Sequence, residues 1–145
     1  MPAAAARRPR FRLPLQVRFA DTDCQGHVYF SNYLVFCDEA MSAYLHAIGY
    51  PWARLAGDGI EFFFVDTGYQ FKGSARFEER LEVHCRIARL GNTSFTGEMV
   101  VCRADGGEQI GSGHITSVMV DPQTRRPVPI PAAFRAAVAA YEEGA

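Results

Sequence analysis

Two carboxylates, Asp21 and Asp23, lie in a short polar loop, residues 21–26, that leads into a long apolar helical segment. The unpaired N–H groups and the positive dipole end at a helix N-terminus can stabilise an oxyanion on a carbonyl substrate. A nearby carboxylate can attack that carbonyl or remove a proton from an attacking water. The segment therefore carries the groups that hydrolysis of an acyl group requires. The structural alternative is a loop carboxylate that caps the helix.

Other residues of the same loop suit different chemistry. Cys24 and His27 are three positions apart, a spacing found in thiol–imidazole pairs and in metal sites. No second pair of ligands is placed to complete a zinc site, so we expect no metal. A Cys24 nucleophile stays open as an alternative to the carboxylates. His84 and Cys85 fall in a predicted strand, where consecutive side chains point to opposite faces and cannot act together.

Hydrophobic periodicity places the loop between a strand and a long helix. Apolar and polar residues alternate over 13–20, which predicts a strand, and a helix is expected over about 32–48, where Gly49 and Pro51 end it. The same patterns predict a long strand or a bent pair of strands over 60–75, strands over 81–87, 93–103 and 109–120, and a short helix over about 131–143.

The predicted long helix is apolar over most of its surface. Its polar side chains fall on one narrow stripe, formed by Asp38, Glu39, Ser42 and His46. A helix that packs through one face needs a much narrower apolar stripe, so we expect other structure to wrap this one on several sides. One strand, one buried helix and then consecutive antiparallel strands indicate the α+β class, with a sheet of about five strands curled around one central helix.

Length and charge narrow the possibilities further. The 145 residues suit a single domain, which we expect over 11–145 after a disordered N-terminal tail, 1–10. The formal net charge of −1 removes the electrostatic drive towards nucleic acid or an anionic membrane. No segment approaches the roughly 18 apolar residues of a membrane span, and the N-terminal stretch lacks the apolar core of a signal peptide. The four cysteines are therefore expected as reduced thiols in a cytoplasmic protein.

A longer pattern surrounds the two carboxylates. The spacing Asp-x-Asp-x-x-Gly-x-Val-aromatic-x-x-Asn-Tyr is matched by Asp21, Asp23, Gly26, Val28, Tyr29, Asn32 and Tyr33. This pattern resembles the signature of the hotdog-fold acyl-CoA thioesterases, the 4-hydroxybenzoyl-CoA thioesterase-like family. The similarity continues through residues 77–83, 90–95 and 126–131. It implies a hotdog fold and hydrolysis of an acyl-CoA thioester to a free carboxylic acid and coenzyme A.

The resemblance also implies roles for residues of the loop. Asp23 matches the catalytic carboxylate, a nucleophile or general base, and the backbone N–H of Phe30 matches the donor that polarises the thioester carbonyl. Gly26 lets the loop approach the helix closely. His27 is a candidate proton relay, with a hydrogen bond to the loop as the structural alternative. No metal or redox cofactor is implied, because coenzyme A enters as part of the substrate.

Members of this family are oligomers with active sites between subunits. The resemblance therefore implies a dimer or tetramer in which a neighbouring chain helps to bind coenzyme A. Asp38 matches an acidic position of the family that faces the acyl pocket, and arginines would bind the coenzyme A phosphates. The expected substrate-binding residues are Tyr29, Asn32, Asp38, Val65, Arg89, Thr93, Ser94 and Arg126.

Two alternative functions share this fold. A hotdog protein could bind acyl-CoA without hydrolysing it, because a fold does not determine an activity. A thioesterase for acyl groups on a carrier protein would favour a basic docking surface, which the near-neutral charge does not indicate. The sequence shows no signature of a hotdog hydratase or dehydratase.

Overall fold

The computed structural model describes residues 8–144 of the chain. Five strands and three helices follow one another, with a short 3-10 turn, Phe19–Asp21, after the first strand. The strands are β1 Phe11–Gln16, β2 Glu61–Phe71, β3 Arg80–Leu90, β4 Ser94–Arg103 and β5 Gln109–Val120. The helices are α1 Asn32–Ala47, α2 Trp52–Gly57 and α3 Ala132–Glu143.

The strands form one antiparallel sheet in the order β1-β3-β4-β5-β2, and α1 packs against its inner face. The buried side of α1 is formed by Tyr33, Phe36, Cys37, Ala40, Met41, Tyr44 and Leu45. The other side stays open near β2, where Val35 is 45% exposed. The predicted α+β architecture of five antiparallel strands around a central helix is confirmed, although a single chain leaves this part of α1 uncovered.

The first strand is shorter than the alternation of residues 13–20 predicts. Residues after Gln16 leave the sheet because Asp21 turns back and accepts hydrogen bonds from the backbone and side chain of Arg18. Helix α2 was not predicted, since six residues are too few to show a helical period. It begins after Pro51 and buries Leu55 in the core.

A bulge at Val65 interrupts the register of β2 against β5. Phe62 packs on the core ring of Phe95, whereas Phe63 lies under the Arg125 guanidinium. Beyond the bulge, the ring of Tyr69 lies where a side chain at Gly111 would otherwise stand. Phe64, the residue after Phe63 along the strand, is 56% exposed.

The described part of the predicted tail lies against the domain, whereas residues 1–7 lie outside the described residues. Pro9 is buried and its carbonyl accepts a hydrogen bond of 3.0 Å from His84 Nδ1. The guanidinium of Arg10 lies 3.9 Å from the ring centroid of Tyr141 in α3. Over residues 8–144, none of the helices has the length and hydrophobicity needed to cross a membrane.

Candidate active site

Asp21 anchors the loop that precedes α1. The residue is 3% exposed, and its carboxylate accepts hydrogen bonds from the Arg18 backbone at 2.8 Å and from Arg18 Nη2 at 2.9 Å. Burial raises the pKa of Asp21, but the hydrogen bonds from Arg18 outweigh it, so the pKa lies below the ordinary value. Asp21 is therefore a structural carboxylate, ionised and fully engaged within the loop.

Asp23 begins a tight turn and keeps part of its carboxylate free. Its backbone carbonyl accepts from Gly26 N at 3.0 Å, its backbone N–H donates to the His27 carbonyl at 3.0 Å, and Oδ1 accepts from Gln25 N at 2.9 Å. The turn requires Gly26 at a φ of 82°, a conformation that favours glycine. Within residues 8–144, Oδ2 of Asp23 accepts no hydrogen bond, and the side chain is partly exposed.

The carbonyl group of Asp21, at the start of the loop, joins the loop to the N-terminus of α1. The Asp21 carbonyl accepts from Tyr29 N at 2.9 Å and from Asn32 Nδ2 at 2.9 Å. In the described part of the chain, the backbone N–H groups of Phe30 and Ser31 donate to no protein acceptor. The site thus combines the Asp23 carboxylate, which has one oxygen available for a new hydrogen bond, with the Phe30 and Ser31 amides at the helix N-terminus. Such amides can polarise a carbonyl group.

His27 and Cys24 lie in different environments within this loop. The His27 ring is partly buried, and its Nδ1 lies 3.2 Å from the Val28 carbonyl. This contact is the hydrogen bond to the loop that was the alternative to a proton relay. Cys24 is exposed at the tip of the turn, and all four cysteines are free thiols.

A second segment, residues 72–79, forms the platform on which the turn lies. Val28 N donates to the Ala75 carbonyl at 2.8 Å, and Ala75 N donates to the Tyr33 hydroxyl at 3.0 Å. Arg76 Nη1 reaches the Gly26 carbonyl at 3.3 Å. The sequence motif includes Tyr33 but did not indicate its contact with Ala75. Ala75 and Arg76 were missed as supports of the site, because only the similarity over 77–83 pointed towards this region.

A cavity of about 240 Å³ lies between α1 and the edge strand β2. Its lining is Leu34, Val35, Asp38, Phe64, Thr67 and Ile115. Asp38 is the charged group of this otherwise mainly apolar lining. Burial, and secondarily the neighbouring charge of Glu39, raises the pKa of Asp38. Val65 lies next to this cavity in sequence, at the bulge, and is 59% exposed.

The remaining predicted substrate contacts are split between two places. Tyr29 is exposed beside Phe30 at the start of α1, and Asn32 is occupied in part by its bond to the Asp21 carbonyl. In contrast, the predicted coenzyme A contacts lie at the far end of the sheet: Arg89, Thr93, Ser94 and Arg126. The 11 residues of β3 separate that end from the platform by roughly 35 Å. One chain therefore does not bring them to its own Asp23.

Among residues 8–144, no three His, Cys, Asp or Glu side chains are arranged to hold a metal ion. His84 and Cys85 are both buried in β3, and the His84 ring bonds to the N-terminal segment rather than to the thiol. The described residues bring together here a carboxylate, backbone amides and the cavity between α1 and β2.

The fold and this loop define a hotdog protein with a carboxylate near the N-terminus of its central helix. Residues 17–138 match the thioesterase-like superfamily, and the chain belongs to that family. The predicted family, hotdog fold and thioester-hydrolase class are thereby confirmed.

Individual relatives cover most of the chain. The acyl-CoA thioester hydrolase YbgC of Escherichia coli is 25% identical over 121 residues, 83% of this chain and 90% of that protein. The 1,4-dihydroxy-2-naphthoyl-CoA hydrolase of Synechococcus elongatus is 25% identical over 117 residues, 79% and 85% of the two chains. The structure of the gentisyl-coenzyme A thioesterase BH1999 has a TM-score of 0.79 at 30% identity, and the match covers 88% of this chain and 99% of that one.

The Asp21 anchor predicts a pH-dependent loss of stability in Asp21→Asn. At neutral pH, this variant should be less stable by about 1–3 kcal/mol, because the hydrogen bonds donated by Arg18 lose their charged, buried acceptor. Since folding lowers the pKa of Asp21, its contribution is present above the unfolded value and is lost as the pH falls through the folded one. The difference from wild type should therefore shrink below about pH 4.

Urea unfolding of both proteins across pH measures this effect. The matched control is Asp105→Asn, an exposed turn carboxylate whose replacement should leave the free energy of unfolding unchanged. An Asp21→Asn protein as stable as wild type at neutral pH would show that the anchor does not stabilise the fold.

Proposed function

We propose that the protein hydrolyses acyl-CoA thioesters to a carboxylic acid and coenzyme A, with Asp23 as the catalytic carboxylate. The observation that carries the proposal is that, among residues 8–144, neither Asp23 Oδ2 nor the Phe30 amide has a hydrogen-bond partner, and both lie in the segment that the Asp21 carbonyl joins to the start of α1. YbgC and the 1,4-dihydroxy-2-naphthoyl-CoA hydrolase carry thioester hydrolysis in their names, which supports the same reaction here.

The reaction balances by either of two routes. As a general base, Asp23 removes a proton from water, the hydroxide adds to the thioester carbonyl, and the C–S bond breaks to release the coenzyme A thiolate, which takes up the proton. As a nucleophile, Asp23 forms a mixed anhydride with loss of the thiolate, and water then cleaves the anhydride. In both routes the Phe30 N–H would stabilise the oxyanion on the former carbonyl.

The Asp23→Asn variant tests the assignment. Turnover of a good acyl-CoA substrate should fall by about 100-fold or more, because an amide neither attacks the carbonyl nor accepts the proton. Release of free thiol, followed with a thiol reagent, measures the rate, and circular dichroism checks the fold. Asp105→Asn should hydrolyse the substrate at the wild-type rate.

The outcomes separate three interpretations. Thiol release by wild type that survives Asp23→Asn would refute the role of Asp23. Tight binding of acyl-CoA by wild type with no thiol release would instead support the non-catalytic alternative. Comparison of acyl-CoA with the same acyl group on a carrier protein distinguishes the remaining alternative.

We further propose that the active protein is a homo-oligomer built on a dimer that pairs β2 with the β2 of a second copy. Both edges of the sheet are free within residues 8–144, but they differ. The β1 edge is six residues long and contains Pro14, which removes a backbone donor. The β2 edge is 11 residues long, contains no proline and exposes Phe64 and Val65.

Antiparallel pairing of two β2 strands would also complete the site. The Phe71 end of β2 lies beside the platform, and the Glu61 end pairs with Val120 near Thr93. A two-fold axis across β2 would place the partner's Glu61 end beside the Phe71 end of the first chain. The partner's Arg89, Thr93, Ser94 and Arg126 would then approach the substrate held at Asp23, which accounts for their distance from Asp23 in one chain.

The Val65→Glu variant tests this dimer. Wild type should be a dimer or a larger even-numbered assembly by light scattering, and Val65→Glu should weaken association by about 100-fold or more, because juxtaposed like charges cost several kcal/mol. Activity should fall with association. Pro14→Glu adds the same charge to the exposed β1 edge and should change neither association nor activity. A monomeric wild type or a dimeric Val65→Glu would refute the interface.

The cavity beside Asp38 supports an acyl group with an aromatic ring and a hydroxyl. Its volume of about 240 Å³ accommodates one ring, since a cavity of about 150 Å³ binds benzene. Phe64 and Ile115 offer apolar contact, and the Asp38 carboxylate has no protein donor among the described residues and can accept a hydroxyl hydrogen bond. The names of the gentisyl-coenzyme A and 1,4-dihydroxy-2-naphthoyl-CoA relatives point to the same class.

Asp38→Leu should reverse this preference. The kcat/KM for a hydroxybenzoyl-CoA should fall by about 10- to 100-fold, the value of one hydrogen bond to a charged group, while that for benzoyl-CoA stays constant or rises. The exposed neighbour gives the control Glu39→Leu, which should leave both values unchanged. A wild type that prefers straight-chain acyl-CoA, or an Asp38→Leu protein with unchanged preference, would refute this acyl class.

A further inference from the structure

Arg103, the last residue of β4, holds both ends of the platform under the catalytic turn. Its Nη2 donates to the Ser74 carbonyl at 3.0 Å, and its Nη1 bonds to the Glu79 carboxylate. Its Nε donates to Glu108 at 2.9 Å in the neighbouring hairpin. All three directions of one planar guanidinium are thus used, and lysine has no equivalent geometry.

Glu79 links Arg103 to the backbone of the platform. One oxygen of its carboxylate accepts from Arg103 and the other accepts from Arg76 N at 3.0 Å. The backbone at Ala75 and Arg76, which lies between the two anchor points, is the part that touches the loop. The Ala75 carbonyl accepts a hydrogen bond from Val28 N, and Arg76 pairs with His27 in an isolated β-bridge.

The connection ends at the turn of Asp23 itself. The Arg76 guanidinium reaches the Gly26 carbonyl, and the Gly26 and His27 backbones close the turn by bonding to Asp23. Arg103 makes no direct contact with Asp23 and lies outside the reacting groups. A shift of the platform would therefore move the carboxylate relative to the Phe30 amide without removing either group.

We propose that the Arg103–Glu79 pair positions the catalytic turn, so that it controls turnover rather than substrate binding. The proposal rests on the proposed thioesterase function of Asp23. A misplacement of about 1 Å can cost a reaction about 100-fold, whereas binding of a large substrate depends on many other contacts. The pair accordingly affects kcat and leaves KM nearly constant.

Steady-state thiol release by Arg103→Met and Glu79→Gln tests the pair. Each variant should lower kcat by roughly 10- to 100-fold with KM within about twofold, and the double variant should lose no more than the worse single one, because both break one connection. Arg103→Lys, which retains the charge but not the fork, should be intermediate. The control is Arg86→Met, which breaks an Arg–Glu pair of 3.0 Å on the outer face of the sheet and should leave kcat unchanged.

Hydrogen exchange provides a readout that does not depend on activity. In Arg103→Met, the amides of Gly26 and Val28 should exchange at least about tenfold faster, while core amides of β4 keep their protection, and Arg86→Met should change neither. Exchange at the turn that stays as slow as in wild type, or a kcat within twofold of wild type, would overturn the proposal. If wild type hydrolyses no acyl-CoA, the proposed function fails, whereas the exchange data still decide whether the pair holds the turn.

Discussion

Asp21 is the residue whose hydrogen bonds constrain the rest of the site. Its carboxylate is buried and must be paired, so it draws Arg18 into the turn that ends β1. Its carbonyl receives the amide of Tyr29 and the side chain of Asn32, so the start of α1 is fixed against the same residue. Asp23, two positions on, consequently lies near a helix N-terminus at which, within residues 8–144, the Phe30 and Ser31 amides donate to no protein acceptor.

The loop that carries Asp23 needs support from outside its own sequence. The platform of residues 72–79 supplies backbone acceptors for Val28, and Arg103 ties that platform to the end of β4. The glycine at position 26 gives the turn its conformation but cannot give it rigidity. Rigidity comes from hydrogen bonds to elements far apart along the chain, which is the usual way in which a fold preorganises a reactive group.

The unequal edges of the sheet connect the fold to assembly. Pro14 and short length protect the β1 edge, whereas β2 exposes both backbone groups and apolar side chains. The open side of α1 near Val35 lies along this same unprotected strand. One chain leaves α1 partly uncovered on that side. It also places the candidate phosphate-binding residues far from Asp23. Both features favour the proposed oligomer.

Much of this arrangement was predictable from the sequence, because it depends on local periodicity and on a short motif. The nearly all-apolar helix required wrapping, the alternating strands required a sheet, and the Asp21–Tyr33 motif identified the family that the match over residues 17–138 confirms. The resemblance singled out Asp23 as the candidate catalytic carboxylate, whereas only the structure gave Asp21 its part as a buried anchor paired with Arg18. The supporting Arg103 and Glu79 are 24 residues apart and carry no spacing signal, and the distance of Arg126 from Asp23 follows from strand length and order. Local patterns determined the elements and the candidate catalytic residue, whereas only tertiary packing decided which charges were buried, which were paired and which end of the sheet each one occupied.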